Sequence, residues 1–153
     1  MLNYAASRGA WIDSTILTDE GSIPDAPAIA YTGPQGYPVG GLTFSSTLTA
    51  SASASFAAVA WRAAEVTDEN HPSFDPEKRR NYEIEPIWES GEITPYVNSV
   101  TVPSAYVEAG RLYRVRARVK DTGNRWSHWS VPIQFMATES TGSLATDLRI
   151  TEL

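Results

Sequence analysis

The clearest pattern in the chain is a strict alternation over Leu112–Lys120. Tyr113, Val115, Ala117 and Val119 fall on one face, and Arg114, Arg116, Arg118 and Lys120 on the other. A period of two is the repeat of a β-strand, so this segment predicts a strand with one core face and one cationic face. Gly41–Ala50 and Phe56–Val66 are rich in Thr, Ser, Val, Phe and Ala, and the polar Ser51–Ser55 separates them, which predicts two strands paired as a hairpin. In the second, Val59 and Trp61 share a face with Ala57, while Ala58 and Ala60 point the other way, so Trp61 is the expected central core residue. Tyr82–Ser90 alternates with Tyr82 and Ile84 on one face and Glu83, Glu85 and Ile87 on the other. Asn98–Val102 alternates again, and Ser130–Ala137 closes the series with Val131, Ile133 and Phe135 in phase. Ala28–Tyr31 reads as a first, edge strand entered from the Pro- and Gly-rich Gly21–Gly41. Thr67–Asn81 is too polar and too broken by proline for a strand and predicts a long surface loop, while Ser90-Gly91 and Asp121-Thr122-Gly123-Asn124 supply turns. Met1–Trp11 carries helix formers and predicts a short appended helix. Strands at short spacing without crossover helices predict an all-β, two-sheet antiparallel sandwich of about seven strands.

Composition narrows the function classes. With 42% hydrophobic and 20% charged residues, the chain is globular rather than disordered, and its 153 residues suffice for one core. A net charge of −6 opposes a phosphate backbone, so no nucleic-acid partner is expected. With no cysteine, neither disulfides nor zinc–thiolate sites are available, and stability must come from packing. Met1–Leu17 lacks the basic start, apolar core and small-residue cleavage site of a secretion signal, and no segment is long and apolar enough for a membrane span. The sequence is therefore either cytoplasmic or an internal piece of a longer chain.

From Ala28 to Ala137 the order of features resembles the fibronectin type III family of immunoglobulin-like β-sandwiches. Trp61 matches that family's buried second-strand tryptophan. Ala109-Gly110-Arg111-Leu112-Tyr113-Arg114-Val115 resembles its loop into the sixth strand, where Val107 and Ala109 replace the usual Leu and Pro. On this resemblance Tyr113 is the tyrosine-corner residue, and Trp61, Tyr113 and Val115 are core. Trp126-Ser127-His128-Trp129-Ser130 matches the Trp-Ser-x-Trp-Ser signature of the membrane-proximal domain of class I cytokine receptors. Indole faces of Trp126 and Trp129 can interleave with guanidinium planes of Arg114, Arg116 and Arg118, each contact worth about 0.5–2 kcal/mol. Ser127 and Ser130 can tie this irregular segment to the neighbouring strand. The expectation is a structural ladder rather than a ligand surface, and no cytokine receptor is inferred.

A second resemblance rests on Gly36-Tyr37-Pro38, Trp61-Arg62, Tyr82-Glu83-Ile84-Glu85, Trp88 through Pro95, and the Trp-Ser motif. Together they look like a domain of large exported bacterial proteins that follows a spore-coat-type (CotH-like) kinase domain and precedes a lamin-tail-like β domain. It implies three parts: residues 1–20 as the tail of a preceding domain or linker, 21–138 as the sandwich, and 139–153 as a linker and the start of the next domain at Leu148–Leu153. It also implies an extracellular or cell-surface location and, as partners, neighbouring domains of the parent chain, another protein or a glycan.

The residues offer little for catalysis. His71 and His128 have no spacing suited to a metal pair or a nucleophile with its base. Glu83, Glu85, Glu89 and Glu92 form an acidic stretch, but Glu83 and Glu85 alternate on an expected solvent face rather than across a cleft. Asp68, Glu69, Asn70 and Asp75 lack the spacing and turn glycine of a dedicated calcium loop. No cofactor is expected. The leading expectation is a non-catalytic interaction or spacer module. The alternative is a carbohydrate-binding module whose exposed aromatic platform is Trp88, Tyr96, Tyr106 and Tyr37.

Overall fold

A computed structural model describes residues 23–48 and 55–140. The expected helix in Met1–Trp11 and the expected next-domain strand at Leu148–Leu153 lie outside these residues. Within them the chain forms β1 (Ala28–Tyr31), β2 (Thr43–Thr47), β3 (Phe56–Glu65), β4 (Trp88–Glu89), β5 (Ser99–Thr101), β6 (Leu112–Asp121) and β7 (Ile133–Met136), with a 3-10 turn at Ser104–Tyr106. Two antiparallel sheets result, in the orders β1-β2-β5 and β4-β3-β6-β7, giving the expected seven-stranded all-β sandwich.

The long pair β3–β6 is the spine, because each of its strands is ten residues long and no other strand exceeds five. Its register sets Val59 opposite Val119, Trp61 opposite Ala117 and Ala63 opposite Val115, all buried. A large indole beside a small alanine fills the layer without overlap. Leu42 and Phe44 close the core from the other sheet, where Phe44 meets Phe135 at 5.6 Å between ring centroids. Tyr113 is buried, and its hydroxyl accepts the Glu108 backbone N–H at 2.9 Å. That bond pins the loop before β6 to the core and has the geometry of a tyrosine corner. Burial raises the Tyr113 phenol above its ordinary pKa. At the same loop Gly110, at φ +81°, turns the chain into β6 and donates its N–H to Ala137 O at 2.7 Å.

Several expectations are corrected. β2 and β3 do not form a hairpin: β2 pairs with β1 and β5, and β3 with β4 and β6, so the connection between them crosses from one sheet to the other. Trp61 accordingly lies on the third strand, not the second. A bulge between Phe56 and Ala58 breaks the alternation, so Phe56 rather than Ala57 packs against the core. Only Trp88 and Glu89 of Tyr82–Ser90 are strand; Tyr82–Glu85 is a turn closed by the Glu85 N–H on Tyr82 O (3.0 Å), in which Tyr82, Ile84 and Glu85 are exposed, Ile84 by 82%, and the Glu83 side chain is only 16% exposed. Val131 is 82% exposed, because the final strand begins at Ile133 and the preceding residues follow a different spacing.

Candidate functional site

The outer face of β3 explains why a ladder can form. Ala58, Ala60 and Ala64 alternate there with Arg62, and in the β3–β6 register Ala58 faces Lys120, Ala60 faces Arg118 and Ala64 faces Arg114. Alanines leave room for long cationic stems to lie along the sheet instead of standing away from it, and the three alanines are buried beneath them.

Across these stems runs the Trp126–Ser130 segment. Its anchoring is reciprocal: Ser127 N–H donates to Val119 O at 2.8 Å, and Val119 N–H donates to Ser127 Oγ at 3.0 Å. Ser130 N–H donates to Ala117 O at 2.8 Å, and Ala117 N–H donates to Ser130 Oγ at 3.1 Å. The anchors are three residues apart on the segment and two apart on β6. The serine hydroxyl therefore takes the acceptor role that a carbonyl would fill in a regular ladder. Both serines are buried, and a side chain without an oxygen would leave a buried N–H unpaired.

The same three-residue step sends Trp126 and Trp129 to one side, over the cations. Arg118 stacks on Trp126 at 4.5 Å and on Trp129 at 4.7 Å from the ring centroids, Arg62 lies over Trp129 at 4.5 Å, and Lys120 over Trp126 at 5.4 Å. The observed ladder is thus Lys120, Trp126, Arg118, Trp129, Arg62. Of the three arginines expected to interleave, only Arg118 does. Arg114 and Arg116 instead meet a carboxylate. Glu83 lies 3.3 Å from Arg114 Nη1, is bonded to Arg116 through Nε and through Nη2 (3.0 Å), and is 3.6 Å from Arg62. The hydrogen bonds from Arg116, assisted by Arg114 and Arg62, hold the Glu83 carboxyl below the usual carboxylate range against the opposing effect of burial. Arg116 Nη1 also donates to Ser130 O at 2.6 Å, joining the carboxylate cluster to the Trp-Ser segment.

Arg62 and Lys120 were not assigned to the ladder from sequence. The signal for Lys120 was its phase on β6. For Arg62 it was a single cation among outward alanines, readable only once the β3–β6 register is known. The network continues from Arg114 Nε to Gln134 Oε1 (2.8 Å) and from Gln134 Nε2 to Asp68 Oδ2 (2.9 Å), fastening the Thr67–Asn81 loop to the sheet.

The other candidate residues are dispersed. Tyr37 stacks on Phe135 at 4.8 Å and 12°, Tyr96 packs near Phe56 and shares a 3.0 Å hydrogen bond with Ser46 Oγ, and Trp88 packs against the core cluster. Tyr106 alone of the four is well exposed, at 51%, so they do not make a common stacking plane. Glu85 pairs with Arg79 and Glu92 with Lys120, so the acidic stretch does not converge. Asp68 and Asp75 accept backbone N–H groups two residues on, and Glu69 pairs with Arg80. His71 Nδ1 is 2.7 Å from Ser73 Oγ, and His128 is exposed. No described helix is long and apolar enough to cross a membrane. Compared with known proteins, the sequence matches no protein-family model and no curated protein.

Proposed function

We propose that this chain is a non-catalytic, fibronectin type III-like module that spaces or docks neighbouring domains of an exported multidomain bacterial protein. The observation that carries this reading is that the ladder closes on itself. Trp126 and Trp129 are occupied by Lys120, Arg118 and Arg62, while Ser127 and Ser130 are bonded to β6. Residues that would otherwise mark a ligand surface serve to stiffen one sheet, which is what a spacer requires. The exported location follows from the resemblance of the flanking segments, and fold by itself does not decide among functions.

Small-angle scattering on this chain extended by its native neighbouring domains tests the proposal. A single narrow distribution of interdomain distances, broadened when Trp126 and Trp129 are both replaced by Ala, is the expected result. Hydrolytic or transfer activity of the isolated chain, or interdomain distances as broad as those of a flexible linker, would overturn it.

A further inference from the structure

Lys78-Arg79-Arg80 is the only place in the sequence where cationic residues adjoin. It lies within residues 66–87, which connect β3 to β4. Those strands are antiparallel neighbours, and a hairpin between neighbours needs only about two to five connecting residues. The extra length is not needed for the pairing, and it presents these three side chains to solvent: Lys78 and Arg79 are each 80% exposed and Arg80 51%.

The backbone is open at the same point. Lys78 N–H donates to Asp75 O at 3.3 Å and Asn81 N–H to Thr67 Oγ1 at 3.0 Å, but between them the Arg79 and Arg80 amides have no hydrogen-bond partner among the described residues. Their side chains are held only by exposed contacts: Arg79 with Glu85 at 3.4 Å, and Arg80 with Glu69 and over the Phe74 ring at 6.0 Å. Exposed ion pairs of this kind are worth about 0–1 kcal/mol. An endopeptidase of the trypsin class places a carboxylate in the pocket that receives the side chain before the scissile bond. Arg79 can exchange Glu85 for that carboxylate at little cost.

Topology decides what a cut does. Severing the chain between β3 and β4 leaves β1, β2 and β3 on one piece and β4 to β7 on the other. Each sheet is then built from both pieces: β2 pairs with β5, and β3 lies between β4 and β6. The core joins them as well, with Val59 opposite Val119 and Trp61 opposite Ala117. Close to the break, Thr67 N–H donates to Asn81 O at 3.0 Å and Arg62 lies 3.6 Å from Glu83, each contact linking one piece to the other. The fold therefore holds both pieces once the covalent link is gone.

We infer that the Arg79–Arg80 bond is a processing site for a trypsin-like endopeptidase, and that cutting it turns the module into a two-chain joint. Water adds its oxygen to the Arg79 carbonyl carbon as the C–N bond breaks, leaving a carboxylate on Arg79 and an ammonium on Arg80. The chain before the cut and the chain after it are thereafter joined by the sandwich alone, and they separate when it unfolds. This goes beyond the spacer role, which scattering on the uncut chain tests separately.

The experiment is brief digestion of the native chain with a low ratio of trypsin, the products being read by intact mass and amino-terminal sequencing. Among the described residues, the bonds after Lys78, Arg79 and Arg80 should be cut at least about tenfold faster than those after any other Lys or Arg, because opening a loop costs far less than opening a strand. Arg80 should be the main new amino terminus. The two pieces should co-elute at the size of the intact chain and separate only in denaturant. Lys78→Gln, Arg79→Gln and Arg80→Gln together should abolish this cut and leave thermal unfolding unchanged. Terminal-amine labelling of the parent protein from its native source should also find Arg80 as an amino terminus. A first cut elsewhere among the described residues, pieces that part without denaturant, or a native parent intact from Lys78 to Asn81 would each overturn the inference.

Discussion

Replacing Trp129 separates a structural ladder from a decorative one. Its ring is flanked by Arg62 at 4.5 Å and Arg118 at 4.7 Å, and it is only partly exposed. A packed tryptophan removes about 150–250 Å² from water. At about 25 cal/mol per Å², discounted for residual exposure and for burial already present in the unfolded chain, its cover is worth about 2–3 kcal/mol. The two guanidinium contacts add about 1–2 kcal/mol together, toward the lower end because both cations keep some access to water. Trp129→Ala should therefore cost about 3–5 kcal/mol. Trp129→Leu, which keeps most of the apolar cover but loses the π face, should cost about 1–2 kcal/mol. Guanidinium chloride unfolding followed by far-ultraviolet circular dichroism measures both, with an unchanged slope confirming that the same surface is exposed. If Trp129→Leu matches the parent within about 0.5 kcal/mol, the cation–π stack contributes nothing and the ladder explanation fails.

Trp61→Ala empties the centre of the core and should cost about 3–5 kcal/mol by the same unfolding assay; near-parental stability would contradict the β3 core face. Ser130→Ala leaves the buried Ala117 N–H without its 3.1 Å acceptor and should cost about 1–3 kcal/mol, with faster exchange of that amide detectable by NMR. Glu83→Gln should destabilise by about 1–3 kcal/mol, because three partly buried arginines lose their shared counter-charge. Since the Glu83 pKa is lowered in the folded protein, its contribution is complete above the unfolded carboxylate range and disappears as pH falls through the folded value. The parent should thus lose stability in acid more steeply than Glu83→Gln, and parallel pH profiles would refute that role.

The fold was legible where each strand's own pattern decides its faces. β1 was placed residue for residue, and the buried phase of β6 matched at Tyr113, Val115, Ala117 and Val119. Features that depend on pairing between distant segments were not legible. Whether β2 meets β3 or crosses to the other sheet is set by the whole sandwich, and the intervening Ser and Ala residues are compatible with either. Glu83 shows a subtler failure. Its surroundings form a turn rather than a strand, in which Glu83 alone turns inward, to three arginines, while Tyr82, Ile84 and Glu85 are exposed. Polarity predicts the inward face only when the neighbouring layer is apolar. Likewise the motif identified Trp126 and Trp129, but which cations they stack on is fixed by the register that brings Arg62 beside Arg116.

The Ser127 and Ser130 anchors also bear on self-association. β6 runs for ten residues, but β7 pairs with it only from Leu112 to Val115. Without the Trp-Ser segment the remaining edge would present the backbone of Ala117 and Val119 as a template on which another molecule's strand could grow. Because the anchors run at three residues for every two of β6, and Pro132 follows at once, the covering segment cannot itself be extended as a regular strand. The segment thereby acts as an end-stop against fibre-like stacking of one molecule's sheet on another's.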